Sequence, residues 1–287
     1  MTRSSSALAL EPDTSTSHSI EVDAGERFSF GENWRRFLRH LNPERVKAAE
    51  TSLLEMLNIQ SCQGLSFLDV GSGSGLFSLA ARNLGAKVVS FDYDPVSVAC
   101  TRELKRTFHP NDEMWRITEG SVLDADFLEQ LGHFDVVFSW GVLHHTGAMR
   151  RAMRNLAPLV NLQGKLFVAI YNDQGTASKL WHVVKHSYNR APRVLRFTIL
   201  LPIAIYTAIG LSVSDLIGRR PLRILSPQPQ GRGMSIWTDI VDWVGGYPFE
   251  VAKPEQIIDF YLPLGFSLVR LKTCGGKCGC NEFVFTR

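Results

Sequence analysis

Residues 66–75 read SFLDVGSGSG, and this is the most informative segment of the chain. Ser66–Val70 has the apolar run of a short buried strand, the glycines give a sharp turn, and Leu76–Leu84 has the apolar spacing of a helix. Glycines let a ligand approach the backbone closely, while the N-terminus of the helix offers unpaired amides. The segment therefore predicts a strand, a ligand-binding loop and a helix in succession.

The spacing of the glycines separates two classes of cofactor. A dinucleotide fingerprint has the pattern G-x-G-x-x-G and holds a pyrophosphate at the helix end. Gly71, Gly73 and Gly75 instead give G-x-G-x-G, and Asp69 stands two positions before them. This spacing disfavours a nicotinamide oxidoreductase. A tight turn without any ligand is the alternative interpretation.

An acidic residue ends the next predicted strand. Lys87–Phe91 is apolar and runs into Asp92, at the distance from the glycine loop where a carboxylate can accept hydrogen bonds from both hydroxyls of a ribose. Tyr93 follows, and its ring is expected to lie against an adenine. A simple cap at the end of the strand is the alternative role for Asp92.

The rest of the chain continues the alternation of strands and helices, which calls for a parallel sheet with crossover helices. A helix and two strands joined by a turn are predicted at the end of the chain. The further predicted strands are Trp115–Thr118, Phe134–Trp140, Lys165–Ile170, Phe266–Leu271 and Glu282–Phe285.

The pattern D-x-G-x-G-x-G from Asp69 to Gly75 resembles motif I of the class I, Rossmann-like S-adenosylmethionine-dependent methyltransferases, and FDVVFSWGVLHHT from Phe134 to Thr146 is similar to the segment around their fourth strand. The nearest resemblance is to small-molecule enzymes of the ubiquinone-biosynthesis O-methyltransferase type. It implies an α/β fold with a seven-stranded, mostly parallel, doubly wound sheet and an antiparallel C-terminal hairpin. Separately, the apolar spacing from Phe28 to Leu41 and from Val46 to Leu57 predicts N-terminal helices that pack on the main domain. After strand 5, where that fold usually has a helix, this chain has a largely helical insertion.

The resemblance implies S-adenosyl-L-methionine as the cofactor. Asp69 is expected to serve the cationic methionine end, and Ser121 and Val122 lie in a segment similar to the family's adenine-binding turn. The expected cofactor-binding residues are Asp69, Gly71, Gly73, Gly75, Asp92, Tyr93, Ser121, Val122 and Trp140.

Because a sulfonium methyl group is already activated, catalysis needs alignment of the reactants and removal of a proton when the acceptor is a hydroxyl. Three side chains near the ends of the fourth and fifth predicted strands are candidate bases, and an imidazole titrates near neutral pH. They are His144, His145 and Asp173.

Five parts make up the predicted domain organisation. They are a disordered tail (1–19), an N-terminal helical segment (20–64), the cofactor-binding core (65–170), an insertion forming a lid or substrate region (171–252) and a C-terminal helix and hairpin that complete the core sheet (253–287).

Two segments of the insertion bear on the acceptor. Ala177–Tyr188 predicts a helix with a basic face, which is either solvated or a clamp for an acidic substrate. Phe197–Ser214 carries no charge and has arginines on both sides. It is interpreted as an apolar lid or as a peripheral membrane anchor, because a true span would separate the C-terminal hairpin from its sheet. Both interpretations favour an apolar or lipid-linked acceptor.

Composition excludes other classes. Lys and Arg number 31 against 28 Asp and Glu, and this net charge of +3 disfavours a nucleic-acid partner. Cys274, Cys278 and Cys280 have neither a disulfide framework nor a usual zinc spacing, so no metal is expected. The opening segment lacks the apolar stretch of a signal peptide, which predicts a cytoplasmic protein, with peripheral contact at the inner face of a membrane as the alternative.

The sequence therefore predicts an S-adenosylmethionine-dependent methyltransferase that acts on a hydroxyl of a small, apolar or lipid-linked metabolite. A carbon or nitrogen acceptor stays open. So does a catalytically inactive, membrane-associated module that binds the cofactor. Oligomeric state is not addressed by these patterns.

Overall fold

The computed structural model describes residues 14–218 and 236–287. Its strands are β1 Ser66–Val70, β2 Lys87–Asp92, β3 Trp115–Glu119, β4 Phe134–Trp140, β5 Val160–Tyr171, β6 Ser267–Lys272 and β7 Cys280–Thr286. Its helices are α1 Thr14–Asp23, α2 Gly31–Leu38, α3 Pro43–Leu57, α4 Leu76–Asn83, α5 Pro95–Phe108, α6 Ala125–Leu131, α7 Met149–Leu156, α8 Thr176–Arg190, α9 Arg193–Ile217, α10 Ile236–Gly245 and α11 Pro254–Tyr261.

These strands form one sheet in the order β3-β2-β1-β4-β5-β7-β6. Strands β1 to β5 pair in parallel, and β7 runs antiparallel to both β5 and β6. The predicted seven-stranded sheet with its antiparallel hairpin is confirmed. Strand order reverses between β1 and β4, and in an open α/β sheet a ligand binds in the crevice beyond the carboxyl ends of the strands at that point.

Two apolar layers cover the faces of the sheet. On one face Phe67 and Phe138 pack against Leu53 of α3 and Leu79 of α4. On the other face a separate cluster joins the sheet to α7 and α11 and includes the fully buried Tyr261. Because both faces are covered, the central strands are mostly apolar, as parallel strands usually are, and Asp69 and Ser139 are buried polar residues within them.

Side-chain caps fix where the helices of the core begin. Asn42 accepts a hydrogen bond from the Arg45 N–H at 3.0 Å before α3, and Asp94 accepts one from the Val96 N–H at 2.8 Å before α5. Both helices also have proline at their first position, where the missing N–H has no helical partner to lose. The second cap, Asp94, lies two residues after the predicted ribose-binding Asp92.

The N-terminal segment differs from its prediction. A disordered tail was expected through residue 19, but α1 begins at Thr14; residues 1–13 lie outside the described part of the chain. His18 is buried against the edge of the Tyr93 ring, with 5.5 Å between the ring centroids. Contacts with distant residues therefore hold this short helix, and its own composition cannot reveal them.

The insertion after β5 packs as three helices with a small apolar cluster of its own. Leu200 of α9 and Val244 of α10 are buried there beside Tyr188 of α8. The uncharged segment 197–214 lies within α9, and the arginines that follow it at 219, 220 and 223 lie outside the described residues. No helix in the described ranges is long and apolar enough to cross a membrane.

Candidate active site

The glycine loop after β1 is tied to the end of β2 by backbone hydrogen bonds. The N–H groups of Gly71 and Ser72 donate to the carbonyl of Phe91 at 2.9 and 3.0 Å. Gly71 and Gly73 have φ angles of +73° and +56°, which disfavour any residue with a side chain. A Cβ on Gly71 would lie 2.5 Å from the methyl carbons of Val142. The loop therefore requires glycine for both its turn and its packing.

Asp92 is the last residue of β2 and lies beside the glycine loop. One carboxylate oxygen accepts from the Gly73 N–H at 2.8 Å, and the other accepts from the Asp94 N–H at 2.9 Å. Burial raises the pKa of Asp92 to about 7 against the opposing effect of these two hydrogen bonds. The carboxylate is thus held rigidly and is poorly solvated, so ligand hydroxyl groups would supply donors that it lacks.

A cavity of about 840 Å³, including its mouth, opens in front of Asp92 at the carboxyl ends of β1, β2 and β4. The sequence-predicted residues that line it are Gly71, Gly73, Asp92, Tyr93, Ser121, Val122, Trp140 and His145.

Four other predicted site residues do not line this cavity. They are Asp69, Gly75, His144 and Asp173. Gly75 lies at the start of α4, packed against the backbone of Thr101, and so supports the loop from behind.

Asp69 faces the interior instead of the cofactor side. Its carboxylate accepts a hydrogen bond from the Ser78 hydroxyl, which in turn contacts the Ser90 hydroxyl at 2.7 Å. Trp115 extends this hydrogen-bond network, because its Nε1 donates to the Ser90 hydroxyl at 2.9 Å. Alternation along β1 places neighbouring Val70 in the cavity wall and turns Asp69 toward α4. The geometry therefore does not favour the expected contact between Asp69 and the methionine end of the cofactor.

Residues of the N-terminal segment close the cavity, and the sequence patterns did not assign them to the site. They are His18, Arg27, Phe28, Phe30 and Trp34. The apolar spacing of Phe28, Phe30 and Trp34 is the available signal, and by itself it predicts only a helix packed on the core.

These N-terminal residues form a cover over the cavity, and Arg27 connects the cover to the rest of the site. Its guanidinium donates to the carbonyl of His145 at 2.9 Å, forms an ion pair with Glu21 and lies 4.9 Å from the centroid of the Tyr93 ring. One residue later, the Phe28 N–H donates to the carbonyl of Tyr247 at 2.9 Å. The cover therefore contacts both the cofactor cavity and the insertion.

The two adjacent histidines occupy different environments. His144 is fully buried, and its Nδ1 accepts from the Tyr171 N–H at 3.3 Å. The proton of the neutral ring then lies on Nε2, which has no hydrogen-bond partner among the described residues. Burial lowers the pKa of His144 well below its usual value. With its basic nitrogen engaged and no exposure to the cavity, His144 is poorly placed to be the base.

His145 lines the cavity. Its Nδ1 donates to the carbonyl of Pro248 at 2.7 Å, which leaves Nε2 as the acceptor. Burial lowers the pKa of His145 to about 3. At neutral pH this imidazole is uncharged and weakly basic, so it is better suited to accept a hydrogen bond than a proton.

Asp173 lies in a second cavity, between α7, α8 and α11. This cavity has a volume of about 1,230 Å³ including its mouth, and Phe249 and Glu250 form part of its wall. The Asp173 carboxylate accepts from the Gly175 N–H at 2.8 Å, which ties it to the start of α8. The three candidate bases are thus distributed over three separate environments.

Known proteins resemble this chain in sequence and in structure. Residues 68–168 match a family model described as a methyltransferase domain. The ubiquinone biosynthesis O-methyltransferase of Xanthomonas euvesicatoria is 33% identical over 137 residues, covering 47% of this chain and 52% of that protein. Its counterpart from Pelagibacter ubique is 24% identical over 139 residues, with 47% and 55% covered. The chain spans about half the length of these curated relatives.

Among solved structures, the magnesium protoporphyrin IX methyltransferase of Synechocystis with bound S-adenosylmethionine superposes with a TM-score of 0.53 at 14% identity, covering 97% of this chain and 99% of that one. At this identity the likeness concerns the fold. Together with the strand order and the D-x-G-x-G-x-G loop, the family match makes residues 68–168 a methyltransferase domain with a Rossmann-like fold.

Proposed function

We propose that this chain transfers the methyl group of S-adenosylmethionine to a hydroxyl of a small, apolar or lipid-linked molecule. The observation that carries the proposal is Asp92, a partly buried carboxylate bonded to the glycine-loop backbone and facing the cavity. The proposed activity is that of the whole chain, and it rests on the methyltransferase domain at residues 68–168.

The residues that line the cavity suit the cofactor. Asp92 would hold the ribose, with Tyr93 and Val122 on the adenine side and Gly71 at the loop. A Cβ on Gly141 would meet no atom within 4 Å, so the wall is open there, near the end of β4. When bound, the cofactor supplies an electrophilic methyl group on a sulfonium sulfur.

The chain's own residues supply alignment and exclusion of water. Phe28, Phe30 and Trp34 cover the cavity with apolar surface, and Arg27 holds this cover against His145. A site closed in this way keeps the reacting atoms in line and strengthens polar contacts inside it.

An oxygen acceptor is supported by the printed names of the curated relatives, which are O-methyltransferases. An apolar acceptor is supported by the aromatic rings of the insertion that surround the end of β5, where Tyr171 lies 5.2 Å from Trp243 and 5.6 Å from Phe249 between ring centroids. A carbon or nitrogen acceptor would meet the same rings. If the chain binds the cofactor but transfers no methyl group, the alternative of a catalytically inactive, membrane-associated module is favoured.

The acceptor class can be tested by phase partition. We expect that incubation of the full chain with methyl-labelled S-adenosylmethionine and whole-cell extract places label in the organic phase, because an apolar product partitions there. Label confined to the aqueous phase would contradict an apolar or lipid-linked acceptor. An incubation without protein measures the background.

We further propose that α9 lies on a lipid surface. Apolar side chains recur along one of its faces at spacings of three and four residues, namely Val194, Phe197, Leu201, Ile205, Ile209, Val213 and Leu216, all exposed. No acidic residue occurs from 176 to 214, whereas Arg190 and Arg196 lie near the start of the helix. Exposed apolar faces with basic flanks are typical of interfacial helices on anionic membranes.

Vesicle flotation tests this surface. We expect the protein to float with vesicles of phosphatidylcholine and phosphatidylglycerol, and the double variant Ile205→Glu/Ile209→Glu to lose at least about tenfold in partitioning, since burying each apolar side chain contributes roughly 1.5 to 3 kcal/mol. Leu162→Glu is the matched control, because Leu162 is 85% exposed on β5, outside α9. Equal flotation of the double variant and the control would refute the proposal.

A further inference from the structure

The second cavity, which lies between α7, α8 and α11, takes no part in the proposed function. Its volume is about 1,230 Å³ including its mouth. None of the residues that line it also lines the cofactor cavity. A ligand in the second cavity would therefore contact residues other than those around the cofactor, and the chemistry of the wall indicates which class of ligand it suits.

One part of this wall is apolar. It consists of Met149 and Met153 of α7, Ile257 and Phe260 of α11, and Phe249 in the segment before α11. Phe260 is partly buried, and the other four side chains are buried. Methionine side chains are flexible and polarisable, so they pack against apolar groups of varied shape. This part of the wall therefore suits the apolar body of a small molecule.

Basic side chains line the cavity where it opens to solvent. Arg150 of α7 and Lys179 and His182 of α8 belong to the wall, and all three are exposed. The Arg150 guanidinium lies 5.9 Å from the centroid of the Phe260 ring, next to the apolar part of the wall. Among the residues that the structure describes, no carboxylate forms an ion pair with any of the three. Arg150 and Lys179 therefore offer two unpaired cations beside apolar surface.

Two carboxylates also belong to the wall, but backbone amides already bind them. Asp173 accepts a hydrogen bond from the Gly175 N–H at 2.8 Å, and Glu250 accepts one from the Met149 N–H at 2.8 Å. Their negative charges disfavour a ligand head group that carries two negative charges, because like charges repel at short range. The wall therefore favours an anion of single charge that pairs with the two cations.

A buried hydroxyl group provides a further hydrogen-bond donor. Ser178 of α8 lines the cavity and is 6% exposed, and its oxygen accepts from the Gln174 N–H at 2.8 Å. Within the described parts of the chain, no acceptor binds the hydrogen of this hydroxyl. Since a serine hydroxyl both accepts and donates, Ser178 can donate to an oxygen of a ligand.

We propose that the second cavity binds a single-chain amphipathic monoanion, of which a fatty acid is the simplest example. Its chain packs against the methionine and phenylalanine side chains of α7 and α11. Its carboxylate pairs with Arg150 and Lys179, and Ser178 is the further donor. The inference goes beyond the proposed function and does not depend on methyl transfer.

Titration calorimetry of the full chain with decanoate, below its micelle concentration, tests this site. We expect one decanoate to bind per chain. Decyltrimethylammonium has the same chain and the opposite charge, and butanoate has the same head group and little chain. Each should bind at least tenfold more weakly than decanoate, because each lacks one of the two features that the wall recognises. Equal binding of decyltrimethylammonium would overturn the assignment of an anion.

Charge reversal at the mouth locates the site. Arg150→Glu/Lys179→Glu should weaken decanoate binding at least tenfold, because two attractive contacts become repulsive. Lys87→Glu/Arg102→Glu is the matched control, since it changes the same residue types by the same charge at exposed positions on β2 and α5. It should bind decanoate as the wild type does. Equal affinity in the two double variants, or no binding to the wild type, would overturn the inference.

Two other apolar surfaces could take up decanoate, and each has its own comparison. Saturation with S-adenosylhomocysteine should leave the affinity for decanoate unchanged, because the two cavities have separate walls. Displacement of decanoate would place the anion in the cofactor cavity and contradict the inference. Ile205→Glu/Ile209→Glu should also bind decanoate as the wild type does, and a loss there equal to that of the mouth variant would place the anion on α9.

Discussion

Replacing Asp92 with asparagine should weaken the binding of S-adenosylhomocysteine by at least about a hundredfold. The carboxylate faces the cavity from the end of β2, and each hydrogen bond to a charged group contributes roughly 1.5 to 3 kcal/mol. Two ribose hydroxyls that lose a charged acceptor therefore account for about 3 kcal/mol or more, which is over a hundredfold in affinity. Titration calorimetry on the full chain gives this difference directly.

The pH dependence of binding provides a second readout on the same residue. Burial raises the pKa of Asp92 to about 7, so the fraction in the carboxylate form falls as the pH is lowered through 7. If the ligand binds the carboxylate form, affinity should be constant above this pKa and should fall about tenfold per pH unit below it. Asp92→Asn should show no such decline.

Asp259→Asn is the control for this substitution, because Asp259 is exposed on α11 and distant in sequence from the loop. It should retain both the affinity and the pH profile of the wild type. An Asp92→Asn variant that binds as tightly as this control would remove Asp92 from the cofactor site.

Replacing Gly71 with alanine should cost about 2 to 5 kcal/mol in the free energy of unfolding. Left-handed backbone accounts for about 1 to 2 kcal/mol in a residue with a side chain, and overpacking usually adds about 1 to 3 kcal/mol. At Gly71 the φ angle is +73°, and the new Cβ would lie 2.5 Å from Val142, which lines the cavity. Relief of this clash must move the loop or Val142, so cofactor affinity should fall as well. Denaturant unfolding and calorimetry measure the two effects.

Gly265→Ala separates backbone strain from the clash. Gly265 has a φ angle of +85°, and a Cβ built there would meet nothing within 4 Å. It ends the short turn after α11, so only the strain should appear, with cofactor affinity unchanged. Equal losses of stability in the two variants would show that Val142 does not constrain the loop.

The fold and part of the site were predictable because their signals are local. The glycine loop, the strand before it and Asp92 lie within a short stretch, and their spacing alone restricts the ligand class. The alternation of strands and helices around them predicted a parallel sheet with crossover helices, which the structure confirms. Asp69 belongs to the same motif, but its position differs from the expected one at the methionine end of the cofactor. Strand alternation turns its side chain toward Ser78.

The parts that were missed depend on contacts between distant residues. His18 and Arg27 join the cavity only because α1 packs on Tyr93 and because Arg27 reaches the carbonyl of His145. The expected basic face of α8 divides in the structure. Lys179 and His182 are exposed, while Lys185 is buried beneath Trp243 of α10. No pattern within α8 distinguishes these side chains, since α10 determines which of them is covered.

The most direct measurement is the amount of S-adenosylhomocysteine that the full chain produces from S-adenosylmethionine in the presence of whole-cell extract, quantified by mass spectrometry. Methyl transfer predicts accumulation well beyond the concentration of the protein, and a large loss with Asp92→Asn. If S-adenosylmethionine binds but no S-adenosylhomocysteine accumulates above the level of this variant in any extract fraction, the chain binds the cofactor without catalysing transfer, and the account of its function is wrong.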